Sequence, residues 1–257
     1  YFIGDIDGKR FTTSQKEVKW LDYGRDNYAG VTWSDVPEDD GRRLFIGWMS
    51  NWDYAQVVPT QKWRSAMTLP RSLHLIEAAE GLIVASRPVE ELNVLKEESI
   101  RFGEATLDSE SVFQLNVNEP RLFKPPLHIQ LKVDRTRTSS QHFGIAMENI
   151  AGDRYHLGFY GGQLYSDRVL SGQTNFEKRF AKKAHFAPVL TLEERELVLD
   201  VYIDHSSVEI FLNQGIQVMT EQVFPKEDFN SIYLFNEEKQ LVINGFSTST
   251  LKGIWAE

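Results

Sequence analysis

Apolar and polar residues alternate with a period of two along most of this chain. That spacing turns one face of a strand to a core and the other to water. Phe2 to Ile6 and Lys9 to Thr12 flank Asp7-Gly8, which predicts a type I′ hairpin. Tyr28 to Trp33 and Arg43 to Trp48 read as strands around the polar turn Pro37-Glu38-Asp39-Asp40-Gly41. Ser65 to Leu69, Ser72 to Ile76 and Leu82 to Ala85 continue the meander, with a turn at Glu80-Gly81. The stretch from Arg87 to Ser99 breaks the pattern. Pro88 at a first-turn position, followed by acidic and apolar residues, predicts a short helix or linker and a domain boundary between about residues 88 and 100. Strands resume at Leu127 to Val133, His142 to Met147, Tyr155 to Tyr160 and Leu197 to Ile203. Ser207 to Leu212, Ile216 to Thr220, Ser231 to Asn236 and Gln240 to Phe246 complete the series. So many short strands with so little helix fit a propeller, barrel or sandwich in the first part and a two-sheet sandwich in the second.

Composition narrows the function classes. The net charge of -9 argues against nucleic acid, which calls for a basic patch. No run of about 18 apolar residues occurs, so no membrane span is expected. Cysteine is absent, which rules out disulfides and thiolate metal sites. The six His are scattered without helical pair spacing, so no metal site and no cofactor is expected. No Asn-x-Ser/Thr sequon occurs. The chain opens at Tyr1-Phe2-Ile3-Gly4, without Met and within a strand pattern, and so reads as a fragment or processed product. Its apolar end, Leu251-Lys252-Gly253-Ile254-Trp255, reads as a packed C-terminus.

Trp48, Trp52 and Trp63 fall close together among Asn, Ser, Asp and Arg. Exposed Trp beside hydrogen-bonding groups suits sugar recognition, since a ring face meets a sugar face while polar groups take the hydroxyls. The other reading, which composition favours, is that these rings fill a β core.

Several motifs in fixed order carry a resemblance. Leu21-Asp22-Tyr23-Gly24-Arg25-Asp26-Asn27-Tyr28-Ala29 comes first, then Gly47-Trp48-Met49-Ser50-Asn51-Trp52, then Trp63-Arg64-Ser65-Ala66-Met67-Thr68-Leu69-Pro70-Arg71. Asp204-His205-Ser206-Ser207-Val208-Glu209-Ile210-Phe211 follows. Over essentially its whole length the chain resembles glycoside hydrolase family 32, the invertases, levanases and inulinases. The resemblance implies an all-β fold. Residues 1–88 would form the last part, about two blades, of a five-bladed β-propeller. Residues 89–99 would be a linker, and residues 100–257 a jelly-roll-like β-sandwich.

It also implies a retaining, exo-type β-fructosidase acting on sucrose, levan or inulin, with a fructose-containing saccharide as partner. The family's catalytic Asp lies in an N-D-P-N-G motif and its acid/base Glu in E-C-P. Neither motif occurs here, so the pair is expected upstream of Tyr1, in a missing propeller segment, and this chain alone is expected to be inactive. The residues present do not replace them. A retaining pair needs carboxyls about 5–5.5 Å apart, whereas four residues of extended chain separate Asp22 from Asp26 by about 13 Å.

By resemblance, Asp22 sits near the acid/base Glu and tunes its protonation; as a bare residue it reads as an Asx-turn before Gly24. Arg25 would position Asp22 or a substrate hydroxyl. Asp26 would bind substrate or stand as an exposed loop charge. Asn27 replaces the usual aromatic. Trp52 would line the fructose pocket, with Asn51 and Asp53 at its rim and Trp48 in the blade core. Arg64 and Arg71 would pair with carboxylates between blades, and Glu209 would face the propeller or a partner subunit. A non-catalytic fructan-binding or propeller-stabilising module is the alternative. A secreted or periplasmic location suits such a bacterial hydrolase better than the cytoplasm.

Overall fold

The computed structural model of the chain describes residues 1–79, 81–115, 123–188 and 194–254. Two expectations fall partly outside them, the turn at Glu80 and the packing of Trp255.

The first unit is built from two small sheets. Strands β1 (Asp5–Ile6) and β2 (Phe11–Thr12) pair in antiparallel register, Ile6 opposite Phe11. Their turn differs from the type I′ expectation. Asp7 Oδ1 accepts from the Lys9 and Arg10 amides, and Gly8 takes a φ of 89° while Asp7, which a type I′ turn would also place in the left-handed region, does not. An Asx side chain thus replaces a backbone bond, leaving one left-handed position for glycine. A five-stranded sheet follows: β3 (Tyr28–Thr32), β4 (Arg43–Met49), β5 (Ala66–Met67), β6 (Arg71–Ala78) and β7 (Gly81–Pro88). Its path is β3-β4-β6-β7, with β5 paired to the end of β4. Pro88 closes β7 opposite Arg71 instead of opening a helix.

A 3₁₀ helix spans Glu90–Leu95, and β8 (Lys96–Phe102) takes over at once as an edge strand of the second unit. The sandwich sheet therefore begins before residue 100.

The second unit is two stacked sheets. Strands β9 (Ala105–Leu107), β10 (Ser111–Gln114), β11 (Leu127–Asp134), β12 (His142–Glu148), β13 (Arg154–Tyr160) and β14 (Gln163–Asp167) come first. After them run β15 (His185–Phe186), β16 (Glu196–Asp204), β17 (Ser207–Leu212), β18 (Gln217–Gln222), β19 (Ser231–Asn236) and β20 (Leu241–Leu251). One sheet runs β10-β19-β12-β13-β14-β15; the other runs β18-β17-β16-β11-β20-β8, with β9 against β20.

Alternation decides which side chains go inside. Leu197, Leu199, Val201 and Ile203 of β16 and Leu127, Ile129, Leu131 and Val133 of β11 face Phe143, Ile145, Met147, Tyr155 and Leu157 across the sandwich. Each fully buried Leu or Ile side chain contributes about 1.5–3 kcal/mol of transfer free energy. Past β20 the chain does not pack as expected, for Ile254 is exposed.

The outer face of the six-stranded sheet holds His156 against the Phe235 ring, centroids 5.5 Å apart. Its Nε2 is buried and has no hydrogen-bond partner among the described residues. Burial lowers its pKa below 6.5, against the pull of Asp167 and Glu148. The unfolded chain therefore takes up the proton first, so this stabilisation is present above pH 6.5 and is lost as pH falls below it. Urea midpoints at pH 7.5 and 5.5 should differ less for His156→Phe than for the unsubstituted chain; equal drops would contradict this.

Candidate functional site

The segment after the first hairpin carries Asp22 and Asp26, and it lies along β18, the free edge of the seven-stranded sheet. Tyr23 N donates to Val218 O at 2.8 Å and Asp26 N to Thr220 O at 3.1 Å. In return Thr220 N donates to Asp22 Oδ1 at 2.9 Å and Gln222 N to Asp26 Oδ2 at 2.8 Å. Two carboxylates thus stand in for the carbonyls of a neighbouring strand. The approach is close. A Cβ on Gly24 would lie 2.2 Å from Thr220 O, which only glycine avoids.

Asp22 is gripped on all sides. Oδ1 also accepts from Gly24 N at 2.9 Å, the Asx-turn of the bare sequence reading. Oδ2 accepts from Asn27 Nδ2 at 3.0 Å, Arg71 Nη1 at 3.0 Å and Thr220 Oγ1 at 2.6 Å. Arg71, fully buried on β6, reaches on into the sandwich. Its Nη2 donates to Glu209 Oε2 at 2.7 Å and to Thr220 Oγ1 at 2.6 Å. Glu209 Oε1 accepts from Leu69 N at 2.8 Å, so Glu209 faces the first unit. Burial pushes the Glu209 carboxyl up, and Arg71 opposes this. Burial likewise works against the Arg71 charge, but Glu209 and Asp22 outweigh it and its pKa is raised.

Asp26 is placed differently from both expectations. It is neither an exposed loop charge nor open to a ligand, being fully buried. Its oxygens accept from Tyr54 OH at 2.5 Å and from Arg168 Nη1 at 2.5 Å. Arg168 is itself buried. It donates through Nε to Phe180 O, through Nη1 to Gln222 O and through Nη2 to Tyr54 OH, at 2.9, 3.0 and 2.9 Å. Its guanidinium lies over the Phe180 ring at 4.0 Å. Glu221 Oε2 sits 3.0 Å from Nη1 off the hydrogen-bond axis, and Glu221 Oε1 lies 2.6 Å from His185 Nδ1.

Arg25 turns away from Asp22. It donates to Asp53 Oδ2 at 2.6 Å, and Arg179 of the sandwich takes Asp53 Oδ1 at 2.8 Å. Asn51 holds this corner, donating to Arg25 O and accepting from Asp53 N, both at 2.9 Å. Trp52 is 64% exposed, so it fills no core in this chain. Trp48 is half-buried rather than blade core, tilted against Trp52 at 5.0 Å and edge-on to Tyr28 at 6.1 Å. Arg64 donates to the Gln56 carbonyl, not to a carboxylate.

Beside Asp22 opens a shallow cavity of about 230 Å³, walled by Trp20, Leu21, Asn27, Tyr28 and Phe45. Tyr28 joins this cavity to the Trp48–Trp52 rings, so one surface combines a carboxylate with aromatic faces. A larger cavity of about 410 Å³ at one end of the sandwich is lined by Arg135, Ser139, Phe143, Phe159, Leu197 and Gln217 among others. It presents neither carboxylate nor imidazole, and so lacks the groups for acid–base work. Asn27, Thr220 and Arg71 are site residues that sequence reasoning did not place around Asp22. No group of three or more His, Asp or Glu fit to hold a metal occurs among the described residues.

Comparison with known proteins agrees with this architecture. Residues 1–87 match the glycosyl hydrolases family 32 N-terminal domain, and residues 97–251 match the glycosyl hydrolases family 32 C-terminal domain. The levanase of Bacillus subtilis (strain 168) is 34% identical over 259 residues, 99% of this chain and 38% of that protein. The extracellular exo-inulinase of Aspergillus awamori is 30% identical over 89% of this chain and 43% of its own length. The chain thus spans less than half the length of these relatives. Among solved structures, exo-inulinase from Aspergillus awamori superposes with a TM-score of 0.82 at 24% identity, covering 99% of this chain and 50% of that one. The β-fructofuranosidase from Schwanniomyces occidentalis complexed with fructosyl-erythritol gives 0.78 at 23% identity, covering 98% and 53%. The fold is all-β, the closing part of a β-propeller followed by a β-sandwich, and the chain belongs to glycosyl hydrolases family 32.

Proposed function

We propose that this chain is the C-terminal portion of a retaining, exo-acting β-fructosidase that hydrolyses sucrose, levan or inulin. The nucleophilic Asp and the acid/base Glu belong to a propeller segment outside this sequence. One observation carries the reading: the Asp22 carboxylate, gripped by five donors, edges an open cavity with aromatic walls. A fixed negative charge beside a catalytic acid favours its protonated form, the form that protonates a leaving oxygen. Trp52 offers its exposed ring as a wall for the fructosyl group, and Arg25 and Asn51 hold the Asp53 corner at its rim. Asp26 serves the seam with the sandwich instead of the sugar. The buried Arg71 and Arg168, each bonded across the two units, also favour a stabilising role for the sandwich.

The test is fructose release from sucrose, levan and inulin. The 257-residue chain alone should release none. The longer protein carrying N-D-P-N-G and E-C-P should turn over, and Asp22→Asn should lower its kcat about a hundredfold. Turnover by the chain alone, abolished by Asp22→Asn, would overturn the proposal and assign the chemistry to Asp22 itself.

A further inference from the structure

Glu209 occupies an unusual place for a carboxylate. It lies on β17, an interior strand between β16 and β18, and only 3% of it is exposed. Burying a charge there is costly unless a partner compensates it. Arg71 is that partner, but Arg71 already serves Asp22. With both carboxylates ionised, one guanidinium faces two negative charges, and the cluster keeps one in surplus. The other seam cluster is built differently. There Asp26 and Glu221 share Arg168, yet Glu221 also meets the His185 ring, a second partner on its other oxygen. Around Asp22 no second cation appears among the described residues. Asp22 faces Arg71, Asn27 and Thr220; Glu209 faces Arg71 and the Leu69 amide, with Tyr202 opposite it on β16. The Phe211 ring lies 5.0 Å from the Arg71 guanidinium carbon.

The surplus charge sits where it has an effect. Asp22 borders the cavity, whereas Glu209 is sealed behind it. Thr220 links the two sides. Its hydroxyl accepts from Arg71 and donates to Asp22, while its amide fixes the other Asp22 oxygen. Three of the five bonds that orient Asp22 therefore trace to Thr220 and to Arg71, which Glu209 anchors.

We propose that Glu209 and Thr220 of the sandwich are positioning residues for the propeller's chemistry: they orient Asp22 through Arg71 and keep a net negative charge behind the cleft. The inference rests on the reading that Asp22 borders the fructosidase site. It gives the sandwich a part in the reaction beyond holding the propeller together.

The experiment uses the full-length fructosidase. Glu209→Gln keeps the side chain's size and removes its charge. The cluster becomes neutral, the nearby acid loses a field that favours its protonated form, and the alkaline limb of kcat/KM against pH should move to lower pH by roughly half a unit. At neutral pH, kcat should fall about tenfold while KM stays within about twofold, because a small displacement of a site group acts on the chemical step. Thr220→Val should lower kcat similarly, and Thr220→Ser, which keeps the hydroxyl, should restore it. A folded Glu209→Gln enzyme with an unmoved limb would overturn the proposal. If that variant does not fold, the Thr220 pair decides: unchanged kcat in Thr220→Val overturns it as well. Asp22→Asn separates the two levels. If it leaves kcat and the profile untouched, the placement of Asp22 at the site fails; if it moves them while Glu209→Gln does not, only the role of Glu209 fails.

Discussion

Replacing Arg168 by Met is expected to destabilise the chain by about 3–5 kcal/mol, the usual cost of breaking a buried ion pair from one side. Met keeps much of the apolar contact with Phe180 and Tyr54, whose rings flank the guanidinium at 4.0 and 5.4 Å. What it cannot keep are the bonds to Asp26, the Gln222 carbonyl, the Phe180 carbonyl and the Tyr54 hydroxyl. Burial already pushes the Asp26 carboxyl up, with Arg168 as the main opposing influence, so without the arginine Asp26 would take a proton rather than stay charged. Urea denaturation should register the loss. Adding Asp26→Asn and Glu221→Gln should recover much of it, since the stranded charges are then gone. A loss below about 1 kcal/mol for the single variant would mean that water or a rearranged Tyr54 satisfies the pair.

Gly24→Ala is expected to be nearly as damaging, about 2–4 kcal/mol, through steric overlap alone. Gly24 needs no left-handed backbone; the added methyl would meet the Thr220 oxygen, nitrogen and carbonyl carbon at 2.2, 2.3 and 2.7 Å. All three are backbone atoms of β18, which is held from its other side by β17. The strain therefore falls on the bonds from Tyr23 and Asp26 that close the seam. Gly103→Ala is the matched control, because a Cβ there meets nothing within 4 Å. Thermal unfolding of the two variants side by side should show a large drop in Tm for the first and little for the second. Equal, small drops would mean that the loop lifts off β18 without loss of stability.

Strands with a strong apolar alternation were legible from the sequence. Leu197 to Ile203 puts every second residue in the core, and β16 follows it closely. The strands that escaped notice are polar or very short. Lys96-Glu97-Glu98-Ser99 reads as linker, yet these residues open an edge strand that runs to Phe102, where charges discourage unwanted pairing. His185–Phe186 is two residues long and has no period to detect. Asp22 stands out in the sequence because a local motif marks it. Its partners were not, because Thr220 lies 198 residues away and Glu209 is 138 from Arg71. The stretch from Asp204 to Phe211 marks Glu209 in the sequence without saying what it touches. Asp26 misled because a charged residue beside glycine and arginine in a loop resembles a surface group. Only Arg168, from a distant part of the chain, makes its burial tolerable.

The carboxylates that complete the edge of β18 bear on how this protein can be divided. A protein built of two units invites recombination, with one sandwich exchanged for another or the sandwich produced alone. A piece beginning at Lys96 would bare the amides of Thr220 and Gln222 and the carbonyls of Val218 and Thr220 on a long sheet edge. Such an edge pairs with whatever strand it meets, including its own copy. The Asp22–Asp26 loop is thus a built-in guard against self-association, and a working chimera would have to carry that loop and β18 from the same parent.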